Sequence, residues 1–187
     1  MLGFALGETA IRKDLIQEID LGPFKHKVDN GLPMRKAAFQ LLETLQERAT
    51  DSIDLNQVVD TVVKVGLADS QEECIVLNLN ILAKMSQNSI VVVISYLDGL
   101  VTAFENLFKQ NLKLISSQQS QERAQNIVRA LLRVVYLINA SVEIQEYPSA
   151  SFNDFIRNQV LTNADSRQIF EKIAASYKTS AHFAFFN

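Results

Sequence analysis

The stretch Gln17-Glu18-Ile19-Asp20-Leu21-Gly22-Pro23-Phe24-Lys25-His26-Lys27-Val28 predicts one β-hairpin in a chain whose other patterns are helical. Gly22 can adopt the positive φ of a tight hairpin turn, and Pro23 fits the negative φ of the next position. Folding the chain about these two residues sets a definite register between the arms. The predicted pairs are Leu21 with Phe24, Asp20 with Lys25, Ile19 with His26, Glu18 with Lys27 and Gln17 with Val28.

The predicted hairpin has an apolar face and a charged face, because side chains alternate along a strand. The charged face places two carboxylates opposite two ammonium groups, a favourable arrangement for cross-strand pairs. A lone two-stranded hairpin is marginal in water, so its apolar face needs a covering surface in this chain or in a partner. The apolar face carries Ile19, Leu21, Phe24, His26 and Val28.

Length and composition are those of one domain with a real hydrophobic core. The chain has 187 residues, of which 48% are hydrophobic, and a net charge of −3. We therefore predict a single domain over residues 1–187, with neither nucleic acid nor a membrane as partner. One cysteine allows no intrachain disulfide and favours a reducing compartment. The longest apolar run, near Ile90–Ile94, is far too short to span a bilayer. Residues 1–10 are unassigned.

Apolar residues at helical spacing predict seven helices after the hairpin. Asp51–Asp54 offers caps for the second helix, and Gly66 ends it. Polar residues 116–123 predict a loop or a frayed helix start, and Tyr147–Ser149 predicts a turn. Two of the helices carry Val58–Val63 and Ile75–Met85, and the other five cover about Leu32–Glu47, Ile90–Lys109, Gln125–Ala140, Phe152–Leu161 and Arg167–Tyr177.

Sequential helices with no strand-forming run between them indicate an all-α fold. We predict a HEAT-type, armadillo-like α-solenoid of about three to four helical repeats. One β-hairpin, at about residues 17–28, protrudes near its N-terminus. A compact orthogonal helix bundle fits the same periodicity nearly as well.

No residue pattern indicates catalysis. His26 and His182 are far apart and have no metal-ligand spacing, and no glycine-rich phosphate loop is present. Cys74 lies on an apolar helix face and is predicted to be a small core residue. Arg129 and Arg133 are four residues apart without an interleaved aromatic, which favours a solvated helix face over a nucleic-acid site. We therefore predict a protein that is not an enzyme, with no cofactor, metal or small-molecule substrate.

Residues 11–39 carry a family resemblance. The arm that ends in Gly-Pro-Phe-Lys-His at 22–26, the turn at 28–32 and the run Arg-Lys-Ala-Ala-Phe at 35–39 follow one another almost without a gap. This stretch resembles the final repeats of the cullin-associated and neddylation-dissociated proteins, also described as TATA-binding-protein-interacting proteins. Weaker, co-linear similarity continues to Ile169–Ile173, so the resemblance covers nearly the whole chain.

The resemblance implies a non-catalytic regulator of cullin–RING ubiquitin ligases. In that family the C-terminal repeats bind the N-terminal repeats of an unmodified cullin, and a β-hairpin occupies the surface where the substrate-receptor adaptor would bind. The activity is receptor exchange and ligase (SCF-type) complex assembly, in the cytoplasm and nucleus. A separate N-terminal part of the same regulator is a further implied partner.

The resemblance carries specific residues into the predicted protein-binding site. Matching positions are Leu21, Gly22, Pro23, Phe24, Lys25, His26 and Val28, and Ile19 joins them from the apolar face. Phe24 and Leu21, at the tip, are the natural anchors for a partner pocket.

Two other functions stay open at this point. The chain could be a transcription-linked module that contacts TATA-binding protein, or a purely structural end-cap of a larger scaffold in which the hairpin covers the open end of the solenoid.

Overall fold

The computed structural model describes residues 1–20, 25–114, 118–146 and 149–184. It is 79% helical, with ten α-helices and one two-stranded antiparallel hairpin in the described ranges. The predicted all-α HEAT-type fold with an N-terminal hairpin is thereby confirmed. The hairpin strands are β1 (Ile16–Asp20) and β2 (Lys25–Asp29). The helices are α1 (Leu2–Gly7), α2 (Leu32–Arg48), α3 (Leu55–Thr61), α4 (Glu72–Asn88), α5 (Ile90–Ser95), α6 (Leu97–Leu114), α7 (Gln118–Asn139), α8 (Val142–Glu146), α9 (Ala150–Phe155) and α10 (Ala164–Ala184).

Local caps explain where several helices begin. The carboxylate of Asp54 accepts a hydrogen bond of 3.0 Å from the Asn56 backbone N–H at the start of α3. Asn163 Oδ1 accepts from the backbone N–H groups of Asp165 (3.1 Å) and Ser166 (3.0 Å) at the start of α10. Both satisfy amides that the first helical turn leaves without an intrahelical acceptor. Pro33 lies in the first turn of α2, where a missing N–H costs nothing.

Two helices end in π-helical turns, α3 through Val62–Gly66 and α9 through Ile156–Val160. Gly66 ends the first of them, as predicted. A Cβ atom on Gly66 would lie 2.1 Å from Cγ of Asn78 on α4. Glycine is therefore needed here for a close approach between two helices.

The chain divides into two compact units, Met1–Ile81 and Leu82–Asn187. In the first unit α1 and α3 pack against α2. Most of its fully buried side chains come from α2, from α3 with its π turn, and from α4. They include Phe39, Leu42, Val58, Val59, Val62 and Leu79.

In the second unit, helices pack as successive pairs. Helix α6 packs against α7, α9 packs against α6, and α10 packs against α7. Phe155 joins α9 to α6, with ring centroids 6.4 Å from Phe104 and 5.9 Å from Phe108. Tyr136 on α7 contacts the rings of Phe170 and Tyr177 on α10. One helical pair thus stacks on the next, which is the arrangement of a helical-repeat protein. The prediction of one domain over 1–187 stays a prediction.

The predicted single helix over Ile90–Lys109 is wrong. The chain breaks at Tyr96, whose φ and ψ are −104° and 9°, and so forms α5 and α6. The β-branched run at residues 90–94 favours helix weakly, and the Ser95 hydroxyl donates back to the Val92 carbonyl at 2.6 Å. Val91 is 69% exposed, so the helical periodicity across this run does not mark one continuous buried face.

Other helices begin or end at residues different from those predicted. Helix α7 already begins at Gln118, inside the predicted polar stretch, and α10 is longer at both ends than predicted. Helix α1 forms within the unassigned N-terminal segment. The predicted turn residues Tyr147 and Pro148 lie outside the described part of the chain.

Candidate functional site: the β-hairpin and its base

The hairpin has the predicted register at the four predicted pairs that lie in the described residues, and the fifth pair, Leu21 with Phe24, lies outside them. Strand β1 pairs with β2 antiparallel, with Gln17 opposite Val28, Glu18 opposite Lys27, Ile19 opposite His26 and Asp20 opposite Lys25. One further pair, Ile16 with Asp29, extends the ladder beyond the predicted ends.

A diagonal ion pair joins the two strands of the hairpin. Glu18 Oε1 lies 2.8 Å from Nζ of Lys25, the residue two positions before its register partner Lys27. Long side chains reach diagonal neighbours across a twisted strand pair. Both groups are largely exposed, so this ion pair contributes little to stability.

The described part of the apolar face is open to solvent at Ile19. All five residues of β1 are exposed, and Ile19 keeps 42% of its surface. Val28 on β2 is half-buried. No element of the described structure covers the outer surface of β1, so this face is available to a partner.

The eight predicted binding residues divide into two groups. Ile19, Lys25, His26 and Val28 lie in the strands, although the His26 side chain is outside the described part. The other four, Leu21, Gly22, Pro23 and Phe24, form the predicted tip and lie outside the described residues, so their arrangement stays a prediction.

The base of the hairpin is closed by backbone hydrogen bonds. The Asn30 N–H donates to the Leu15 carbonyl at 3.1 Å, which joins the two ends of the hairpin. The Gly31 N–H donates to Asp29 Oδ1 at 3.0 Å. A Cβ on Gly31 would lie 3.3 Å from both Asp29 Oδ1 and Leu15 Cδ1, so the turn into α2 is tight.

A buried arginine connects this base to the helices. Arg35 on α2 has a side chain that is 1% exposed. Its Nη2 lies 2.8 Å from Asp29 Oδ2, at the end of β2. Its Nε lies 2.9 Å from Oδ2 of Asp69, between α3 and α4, and Nη2 also donates to Asp69 Oδ1 at 3.3 Å. We call Asp29, Arg35 and Asp69 the base cluster.

The charges of the base cluster stabilise one another. Burial alone would lower the pKa of Arg35, but its hydrogen bonds to Asp29 and Asp69 outweigh that effect and raise it. The hydrogen bond from Arg35 lowers the pKa of Asp29, against the opposing effect of burial. Arg35 and Asp29 are therefore both charged at neutral pH.

Sequence reasoning did not predict the base cluster. Arg35 and Asp69 are 34 positions apart, and no local spacing links them. One signal was present, because Arg35 shares a helix face with the buried residues Ala38, Phe39 and Leu42. A charged residue on an apolar face indicates a buried ion pair.

Cys74 on α4 is fully buried, which confirms its prediction as a core residue. Burial raises the pKa of its thiol to about 11, and the nearby Asp69 carboxylate acts in the same direction. The thiol is thus protonated and has low nucleophilicity at neutral pH.

The described residues contain neither a metal-binding cluster nor a helix able to span a membrane. No group of three or more His, Cys, Asp or Glu side chains within these ranges is placed to hold a metal ion. Within the same ranges, every helix is too short or too polar to cross a bilayer.

Comparison with known proteins places the chain in a family. A family model described as TATA-binding protein interacting (TIP20) matches residues 1–160. The chain belongs to this family. Relatives include Cullin-associated NEDD8-dissociated protein 2 of Rattus norvegicus, 31% identical over 89% of the chain and 13% of the relative. Cullin-associated NEDD8-dissociated protein 1 of Drosophila melanogaster is 30% identical over 92% of the chain and 14% of its own length.

A third relative is a protein of Emericella nidulans named as the C-terminal part of Cullin-associated NEDD8-dissociated protein 1. It is 29% identical over 72% of this chain and 13% of its own length. The chain therefore spans about an eighth of the length of the relatives that it matches.

Proposed function

We propose that this chain is a non-catalytic binding module that regulates cullin–RING ubiquitin ligases. It binds the N-terminal region of an unmodified cullin through the β-hairpin and competes there with the substrate-receptor adaptor. The competition promotes exchange of receptors on the ligase. A separate N-terminal part of the same regulator contributes further contacts.

The observation that carries this proposal is the exposed hairpin face on a fixed base. Ile19 is 42% exposed in a strand that the described structure leaves uncovered. An exposed apolar side chain on a protruding element is suited to a partner pocket, because apolar and aromatic anchors supply most interface energy. The names of the relatives support a cullin as the partner, since each is called cullin-associated.

The first experiment is isothermal titration calorimetry of the whole chain with an unmodified cullin N-terminal domain. We expect binding, and we expect pre-saturation of the cullin with its substrate-receptor adaptor to abolish it. Binding that persists unchanged in the presence of the adaptor would contradict the competition.

Variants assign the binding to one face of the hairpin. Ile19→Ser and Phe24→Ala are each expected to weaken cullin binding about tenfold or more, the loss typical of an interface anchor. Ile16→Ser is the matched control, because Ile16 is on the same strand, is 37% exposed and points to the opposite face. Equal losses from Ile16→Ser and Ile19→Ser would contradict binding through the apolar face.

A second candidate function is contact with TATA-binding protein, which the description of the family model favours. The same titration with TATA-binding protein in place of the cullin tests it. Binding to TATA-binding protein that is lost in Ile19→Ser, together with no binding to the cullin, would favour this second function.

A further inference from the structure

The direction in which the hairpin projects is determined at its base. Every residue of β1 is exposed and Val28 on β2 is only half-buried, so side-chain packing along the strands contributes little to the orientation of the hairpin. The backbone bond from Asn30 to Leu15 joins the two ends of the hairpin to each other, and does not join them to a helix. The ion pair between Asp29 and Arg35 is the contact at this point that reaches a buried side chain of α2.

The Arg35 guanidinium can direct the hairpin because its own plane is fixed. Asp69 accepts from both Nε and Nη2 of Arg35, a two-point contact that leaves the planar group little freedom to rotate. Asp69 is itself fixed, since its Oδ1 accepts the Gln71 backbone N–H at 2.8 Å. Nη2 therefore meets the Asp29 carboxylate at a position set by the turn between α3 and α4.

Stability alone is a poor explanation for this cluster. Three buried or nearly buried charges carry a large desolvation cost, and apolar side chains of similar size often stabilise a core equally well. Arg35 Nη1 is also buried without a hydrogen-bond partner in the described structure, which adds to the cost. Hydrogen-bonded ion pairs fix the relative orientation of the groups that they join, whereas apolar contacts are not directional.

We infer that Arg35 is the positioning residue of the hairpin: it transmits the position of the α3–α4 turn, through Asp29, to the strand pair and so presents the binding face in one orientation. That this orientation serves cullin binding rests on the proposed function. The orientation itself is a property of the free chain and can be measured without a partner.

The test measures the distance between spin labels on the hairpin and on α2. Nitroxides are attached at Lys27→Cys and Gln40→Cys, both exposed positions. Cys74 is kept, because its thiol is fully buried and protected from the label. The distance distribution is recorded by pulsed electron paramagnetic resonance. The decisive variant is Asp29→Asn, which keeps an oxygen to accept the Gly31 N–H and removes the charge that faces Arg35. The matched control is Lys36→Met, which breaks the exposed ion pair with Glu73 from the next position of the same helix.

We expect a narrow distribution in the parent and in Lys36→Met, and a broad or shifted one in Asp29→Asn with an unchanged helical circular dichroism spectrum. A distribution in Asp29→Asn as narrow as that of the parent, and at the same distance, would overturn the inference. So would equal broadening in the Lys36→Met control.

A second variant, Arg35→Met with Asp69→Leu, replaces the buried pair by apolar side chains and is expected to broaden the distribution as well. If this double variant does not fold, the distance distribution of Asp29→Asn alone tests the inference. If the parent chain does not bind the cullin, the proposed function is contradicted. The spin-label distances still test the positioning role of Arg35, because they are measured without a partner. If the parent binds, Asp29→Asn should bind about tenfold more weakly, because an unoriented hairpin must be ordered on binding.

Discussion

Asp29 and Asp69 hold the same arginine in different surroundings. The Asp29 side chain is 12% exposed, whereas that of Asp69 is fully buried. Protons and water therefore reach the hairpin side of the base cluster more easily than its helix side. The link between β2 and α2 is the part of the cluster that solution conditions can change first.

The stability of the chain should depend on pH through Asp29. Its folded-state pKa is lowered by Arg35, so its contribution is fully present above the unfolded pKa of about 3.9. That contribution is lost as the pH falls through the lower, folded-state pKa. We expect the free energy of unfolding of the parent to exceed that of Asp29→Asn at pH 7, and the difference to shrink towards zero in acid.

Urea denaturation of both proteins at a series of pH values measures this difference. Carboxylates such as Asp14 and Asp54, whose pKa values are also lowered, titrate in both proteins and cancel. A difference that stays constant from pH 7 to strong acid would contradict the charge interaction.

At the scale of elements, the contact between the π turn after α3 and helix α4 has no spare space. A Cβ on Gly66 would lie 2.1 Å from Asn78 Cγ, and Asn78 is fixed by the hydrogen bond of 2.8 Å from its Nδ2 to the Cys74 carbonyl. We expect Gly66→Ala to lower the free energy of unfolding by about 1–3 kcal/mol, the usual cost of overpacking. Chemical denaturation measures it.

Asn78→Ala supplies the matched test, because it removes the side chain that the new methyl group would meet. The double variant Gly66→Ala with Asn78→Ala should be more stable than the sum of the two single losses predicts. If the losses in free energy of unfolding simply add, the two positions are independent, which would contradict the contact seen in the structure.

Sequence reasoning predicted the elements whose signals are local. The hairpin register follows from the Gly22–Pro23 turn and from alternation, and the bounds of α2 follow from its spacing and from Pro33. The break at Tyr96 was missed, because apolar residues recur at helical spacing in both α5 and α6 and do not mark the end of α5. The Arg35–Asp69 pair was missed because its two residues are 34 positions apart and meet only in the folded unit.

At the scale of the molecule, each compact unit has its own core. Phe155 is 1% exposed and connects α9 to α6 within the unit Leu82–Asn187. Phe155→Ala should cost about 3–5 kcal/mol, as for other buried phenylalanines. In a repeat protein this loss falls first on neighbouring repeats, so we expect faster amide hydrogen exchange within 82–184 and unchanged exchange within 1–81.

Mass spectrometry of peptic fragments resolves the two units. The matched control is Phe4→Ala, which truncates a phenylalanine that is 72% exposed and should alter exchange in neither unit beyond α1. Equal acceleration across both units in Phe155→Ala would show that the chain unfolds as one cooperative body, which would favour the prediction of a single domain.

The burial of Cys74 also makes the rate of its chemical modification a measure of opening of the structure. With a thiol pKa of about 11, roughly one molecule in ten thousand carries a thiolate at pH 7, and no reagent reaches it while α4 stays packed. Modification of this one cysteine therefore requires the first unit to open. When reclosing is faster than modification, the rate of modification reports the population of the open form, and it needs no mutation or binding partner.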